Sequence, residues 1–237
     1  ILVIDDSTLD KPYATKMDLV GYHWSGKHHK VVKGINLQSL IWTDGDSIIP
    51  VDFRIYNKKE DQKDKNDLFK EQLLKAIERG FKVKYVCFDS WYASLCNLKF
   101  LRGNNFYWLT RMRSNRLVNP DKKGNVAIDS LEIPEKGMIV HLMGYGMVRI
   151  FKTVARNGDG EFWATSDLEM DELKRLSIAE QTWGIEMYHR GIKQTCGVEK
   201  CHCRVAQAQK NHILFAIRSF LHLERYSFKT GISWINA

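Results

Sequence analysis

The chain has 237 residues, 44% of them apolar and 27% charged, and a formal net charge of +8. This composition excludes a disordered or fibrous chain, and no run approaches the about 18 apolar residues that a membrane-spanning helix needs. The positive balance favours a polyanionic partner, nucleic acid before a membrane surface. Five cysteines, an odd number in a chain this long, fit a reducing cytoplasm better than a disulfide framework. There is no signal peptide, and the chain opens without Met on a strand-like run, so the expectation is a soluble piece of a longer protein.

Ile1 to Ile4 is an apolar, β-branched run, expected to be a buried central strand that ends at Asp5-Asp6-Ser7-Thr8. Consecutive strand residues point to opposite faces, so Asp5 and Asp6 cannot both line one site. Gly21 to Lys33 is basic and aromatic and reads as a loop lying against phosphate, with Lys27 and Lys30 as contacts. Gly34 to Trp42 and Ser47 to Ile55 are strands joined by a hairpin turn at Thr43-Asp44-Gly45-Asp46. Asn57 to Asp67 is a mixed-charge linker, and Leu68 to Arg79 is an amphipathic helix stopped by Gly80. The next strand, Val83 to Phe88, again ends in an acid, Asp89. A helix from Ala93 to Arg102 and a strand from Asn105 to Thr110 follow. Two strands that each finish in an Asp suggest a mixed α/β sheet with its site at the strand ends.

From Arg113 to Leu168 the chain is turn-rich, with short strand-like pieces at 126–128, 138–142, 147–155 and 161–165. It reads as a β-rich insertion, which gives a core over 1–111, an insertion over 112–168 and the rest of the core over 169–237. Leu173 to Ala179 leads into a helix over Thr182 to Arg204, and Ala206 to Tyr226 is a long closing helix.

The segment from Thr182 to Arg204 carries the strongest chemical pattern. Taking Glu186 as origin, Trp183 falls at −3, His189 at +3, Arg190 at +4 and Lys193 at +7, all on one helix face. Cations for phosphates, an indole for a base and an acid for a metal ion suit a phosphodiester. The plain alternative is a solvated face with Glu186 and Arg190 as an ordinary pair. A zinc site at Cys196, Cys201, His202 and Cys203 lacks the paired C-x2-C spacing, so free thiols are the better reading. An Asp on the first strand, Asp89 on the fourth and Glu186 on a late helix make a three-carboxylate set, which Mg2+ or Mn2+ prefers. Two such ions about 4 Å apart activate an attacking oxygen and stabilise a leaving one.

With VIDDSTLDKP, VCFDSWYAS and WGIEMYHRGIK followed by GVEKCHCR, the chain resembles the DDE transposases of bacterial insertion sequences. The resemblance is to the branch with a Tyr-x2-Arg-x3-Glu-x6-Lys signature and a β-insertion before the Glu. It implies a ribonuclease-H-like fold and a catalytic, metal-holding set of Asp6, Asp89 and Glu186, with Asp5 as a neighbour pointing away. It also implies two Mg2+ ions, replaceable by Mn2+, and cleavage and joining of double-stranded DNA by a homodimer at the bacterial nucleoid. Lys193 is the signature Lys, and Arg190, His189 and Trp183 are its companions toward DNA. The signature Tyr and Arg fall on Ala179 and Thr182, so DNA contact is expected to shift to Arg190 and His189.

Overall fold

The computed structural model describes residues 1–26, 28–57, 62–154 and 160–234. In chain order the strands and helices are β1 (Leu2–Asp10), β2 (Gly21–Ser25), β3 (Lys30–Thr43), β4 (Ile48–Ile55), α1 (Lys65–Glu78) and β5 (Tyr85–Phe88). Then come α2 (Leu95–Gly103), β6 (Tyr107–Met112), β7 (Leu117–Val118), β8 (Val126–Ala127), β9 (Met138–Leu142), β10 (Gly146–Val154) and β11 (Gly160–Thr165). The chain closes with α3 (Glu172–Thr182), α4 (Gly184–Arg190) and α5 (Ala206–Thr230). It divides into two compact units, one of Ile4–Phe81 with Trp183–Ala237 and one of Ile1–Val3 with Lys82–Thr182. The expected boundaries at 111/112 and 168/169 fall inside the second of these. No helix among the described residues is long and apolar enough to cross a membrane.

In the first unit the sheet runs β2-β3-β1, and β4 also pairs β3. Strand β3 is long enough to hold two partners in succession: its start pairs β2, and Leu37 to Thr43 pairs β4. Its residues 34–41 are all buried, as expected of a strand covered on both faces. On one face α1 turns Leu68, Phe69, Leu73 and Ala76 inward, and its buried Gln72 donates to the carbonyls of Gln38 and Asp52. The segment read as a loop, Gly21 to Lys33, is the β2–β3 hairpin, and Lys27 lies outside the described residues. Helix α1 starts three residues early, inside the expected linker, because Asp64 and Asp67 form a capping box. Residues 58–61 of that linker lie outside the described residues.

Two further expectations are corrected in this unit. Strand β1 does not stop at the acids but continues to Asp10, with Thr8 and Leu9 buried, so the acid pair sits in mid-strand. The helix expected from Thr182 to Arg204 is three short pieces. After α4 come a π turn (Gly191–Thr195), Gly197 at φ 66° and a 3-10 turn (Val198–Lys200), and residues 201–205 carry no helix. That left-handed φ favours glycine and departs from helical geometry, so the helix cannot run through position 197.

In the second unit β5 pairs β6 in parallel, and β11, β10 and β9 add to β6 in antiparallel order. The β-rich segment adds its strands to the same sheet. Its strand Phe162–Thr165 is hydrogen-bonded along Leu109–Met112 and extends the sheet. Strands β7 and β8 form a small ribbon bridged to the rest at Asn119 and His141. Trp108 is fully buried, and its indole donates to Tyr145 Oη at 2.9 Å.

Candidate active site

The acid pair on β1 is split by the strand's alternation. Asp6 Oδ2 accepts Asn36 Nδ2 at 2.8 Å and lies 2.8 Å from Lys65 Nζ. Asn36 is on β3, and Lys65 opens α1, whose first carbonyl also accepts Gln38 Nε2 at 3.3 Å. The even-numbered positions of β3 therefore face α1, and Asp6 shares that face. The odd-numbered positions face the other helix, for a Cβ on Gly184 of α4 would stand 3.5 Å from Thr43 and 3.6 Å from Ile41. Asp5 points that way, its Oδ2 4.0 Å from His189 Nδ1 on α4. The expectation is Asp6 toward the helix that bears Glu186 and Asp5 away from it; Asp5 is the one at ion-pair distance from that helix, while the charge of Asp6 still acts on His189. The alternation was legible in the sequence; which face α4 covers was not.

Helix α4 presents Ile185, Tyr188 and His189 to the interior and leaves Glu186 and Arg190 exposed. Glu186 precedes His189 by three residues, so the two lie on neighbouring sides of α4. The two carry no ion pair between them: Glu186 and Arg190 are not within 4.0 Å among the described residues. His189 is 5% exposed, so it is no surface contact for DNA. Burial pushes its pKa down to about 3, Lys193 adds to the effect, and the charge of Asp6 opposes it. The ring is neutral at physiological pH, and its Nε2 is buried with no partner among the described residues.

Lys193 is not aimed at solvent. Its Nζ donates to Thr8 O at 2.8 Å and stands 3.6 Å from Glu199 Oε1. Trp183, 59% exposed, and Arg190 remain open on the outer side, as does Lys30 at the start of β3. At the signature positions Thr182 Oγ1 donates to Ala179 O at 2.6 Å, a bond internal to α3. His28, in the same basic segment as Lys30, lies 3.2 Å from Asp10.

Asp89 belongs to the second unit. It ends β5, is exposed, and caps the following 3-10 turn by accepting Ser90 N at 2.6 Å through Oδ1. Beside it a cavity of about 700 Å3 is lined by Ser90, Trp91, Arg113, Asn115, Arg116 and Met143 among others. Sequence reasoning gave no role to Arg113 or Arg116. A basic pair directly after a strand was the available signal.

Among the described residues no three of His, Cys, Asp and Glu stand close enough to hold a metal ion as the side chains are placed. The donor chemistry nevertheless fits one. Asp5 is half-buried at 28% side-chain exposure, Glu186 is exposed, and both offer the hard oxygens that Mg2+ and Mn2+ take. Asp6 fits less well, because Lys65 already neutralises it.

Comparison with curated proteins finds no match. Among solved structures the chain is similar to one described as a piggyBac transposase synaptic complex with hairpin DNA, at a TM-score of 0.63 and 13% identity. The match covers 97% of this chain and 47% of that one, so the chain spans about half the length of that protein, and the likeness is one of fold. Residues 1–221 match the family described as the transposase DDE domain, and the chain belongs to that family.

Proposed function

We propose that the chain is the ribonuclease-H-like catalytic core of an insertion-sequence transposase, which cleaves double-stranded DNA at the element's ends and joins it to target DNA. The acids assigned to the reaction are Asp5, Asp89 and Glu186, with Asp5 replacing Asp6. The observation that carries the assignment is the 4.0 Å approach of Asp5 to His189, one turn beyond Glu186 on α4, in a chain of shown family. Bound Mg2+ or Mn2+ supplies the activation of the attacking oxygen and the stabilisation of the leaving one. The chain's own residues do the rest. Asp5 and Glu186 offer oxygens, buried neutral His189 backs Asp5 without adding charge, and exposed Arg190, Trp183 and Lys30 hold phosphate or base. A duplex with two ends to join accords with a homodimer acting at the bacterial nucleoid.

The assay is nicking of supercoiled plasmid in Mg2+ or Mn2+. Asp5→Asn, Asp89→Asn and Glu186→Gln are expected to fall to background while retaining duplex affinity, since each removes a negative charge from a site that faces phosphates. Nicking that survives Asp5→Asn but not Asp6→Asn returns the role to Asp6. A second reading, a DNA-binding remnant without chemistry, rests on Ala179 and Thr182 at the signature Tyr and Arg positions. It predicts duplex binding and no nicking by the wild-type protein with either ion.

A further inference from the structure

The part of β1 beyond the acid pair is fastened to the chain that follows α4. Lys193 Nζ, in the π turn, donates to Thr8 O at 2.8 Å and lies 3.6 Å from Glu199 Oε1. The same Glu199 oxygen accepts the Asp10 amide at 3.1 Å. Lys11 Nζ donates to the carbonyls of Glu199 and Cys201, to the latter at 2.7 Å. Lys11 is 8% exposed, and burial lowers its pKa while the neighbouring charges of Cys201 and Glu199 raise it. Two ammonium groups and one carboxylate therefore tie Thr8, Asp10 and Lys11 to residues 193–201.

The position of this tie matters more than its strength. Thr8 lies three residues from Asp5 on a continuous strand, and Lys193 lies seven residues from Glu186, two helical turns. Sliding β1 along α4 shifts Asp5 relative to Glu186 and so changes their separation by up to the same amount. Metal ligands tolerate only about 0.2 Å of such error, and a supporting shell that is loose by about 1 Å is enough to spoil a site. We propose that Glu199, Lys193 and Lys11 form a clasp that sets the separation of Asp5 and Glu186. Glu199 is then a positioning residue, and Lys193 acts through β1 rather than on a DNA phosphate. The inference rests on the reading of Asp5 and Glu186 as the metal-holding acids.

The test compares Glu199→Ala, Glu199→Gln and Lys193→Met with the wild-type protein. Three readouts are taken: Mn2+ binding followed by electron paramagnetic resonance, Mn2+-dependent plasmid nicking, and affinity for a random-sequence duplex across a salt series. Glu199→Ala is expected to weaken Mn2+ binding and slow nicking by about tenfold or more, with duplex affinity and its salt slope unchanged. Glu199→Gln, which keeps an oxygen for the Asp10 amide, is expected to recover most of the rate at an unchanged thermal midpoint. Wild-type Mn2+ affinity in Glu199→Ala overturns the clasp. So does Lys193→Met if its main effect is weaker duplex binding with the salt slope reduced by about 0.9, for Lys193 would then be a phosphate contact. A wild-type protein that binds Mn2+ but nicks nothing defeats the catalytic reading alone and leaves the clasp to the Mn2+ titration. One that binds no Mn2+ overturns both.

Discussion

Asp5 and Asp6 are chemically identical neighbours with different employment. Asp6 is 20% exposed at its side chain and paired with Lys65, itself 17% exposed, whose ammonium also stands 5.5 Å from the Tyr56 ring centroid. Charge-assisted bonds of this kind are worth about 1.5–3 kcal/mol, and removing one partner leaves the other charge half-buried. Asp6→Asn is therefore expected to lower stability by about 1–3 kcal/mol, read as a shift of the urea midpoint, while the folded protein still nicks plasmid. An unchanged midpoint with lost nicking would return Asp6 to the reaction. The sequence showed that the two acids must part company, because strand alternation is local. It did not show which one faces α4, because that depends on which side of the sheet a helix some 180 residues later chooses. Asn36 gave a quieter signal: a buried amide in an apolar strand needs a polar partner, and Asp6 is that partner.

At the scale of elements, strands and helices were legible wherever periodicity and capping agreed, as in the β3–β4 hairpin and α1. Legibility failed where tertiary contact overrode local pattern. The helix expected across Gly191 yields to a π turn because that glycine is pressed against α5. A Cβ there would stand 2.6 and 2.7 Å from Phe220 ring carbons and 2.9 Å from Trp234. Phe220 cannot give way easily, being fully buried and in edge contact with Tyr188 at a centroid distance of 5.1 Å. Gly191→Ala is expected to cost about 1–3 kcal/mol by overpacking, measured by thermal or urea unfolding. Phe220→Leu in the same chain should return part of the loss, since residues in contact are energetically coupled. Additive losses would show that the two do not press on each other. The β-rich segment is a different case. Its strands were visible in the sequence, but their addition to the β6 edge is a long-range pairing that no local pattern encodes.

For the molecule as a whole, two buried groups, Asp167 and His189, make acid a destabilising direction, while burial raises the pKa of Asp52 and works the other way. Asp167 is 5% exposed; burial alone would raise its pKa, but hydrogen bonds from Tyr85 and Lys174 outweigh that and hold it below the ordinary value. Its stabilisation is complete above the unfolded pKa of about 3.9 and is lost as pH falls through the depressed folded value. His189 works over a higher window. The unfolded chain takes up a proton near pH 6.5, whereas burial keeps the folded ring neutral down to about 3. Between those limits the unfolded state binds one more proton, so stability drops by about 1.4 kcal/mol for each pH unit of acidification. The two windows follow one another, so the urea midpoint should decline steadily from neutral pH toward about pH 4 and more steeply below it. His189→Gln removes the titrating group while keeping a polar side chain of similar reach beside Asp5. Its slope of stability against pH between about 6 and 4 should be shallower than wild type by one proton. Parallel slopes in the two proteins would mean that His189 protonates in the folded state as readily as in the unfolded chain.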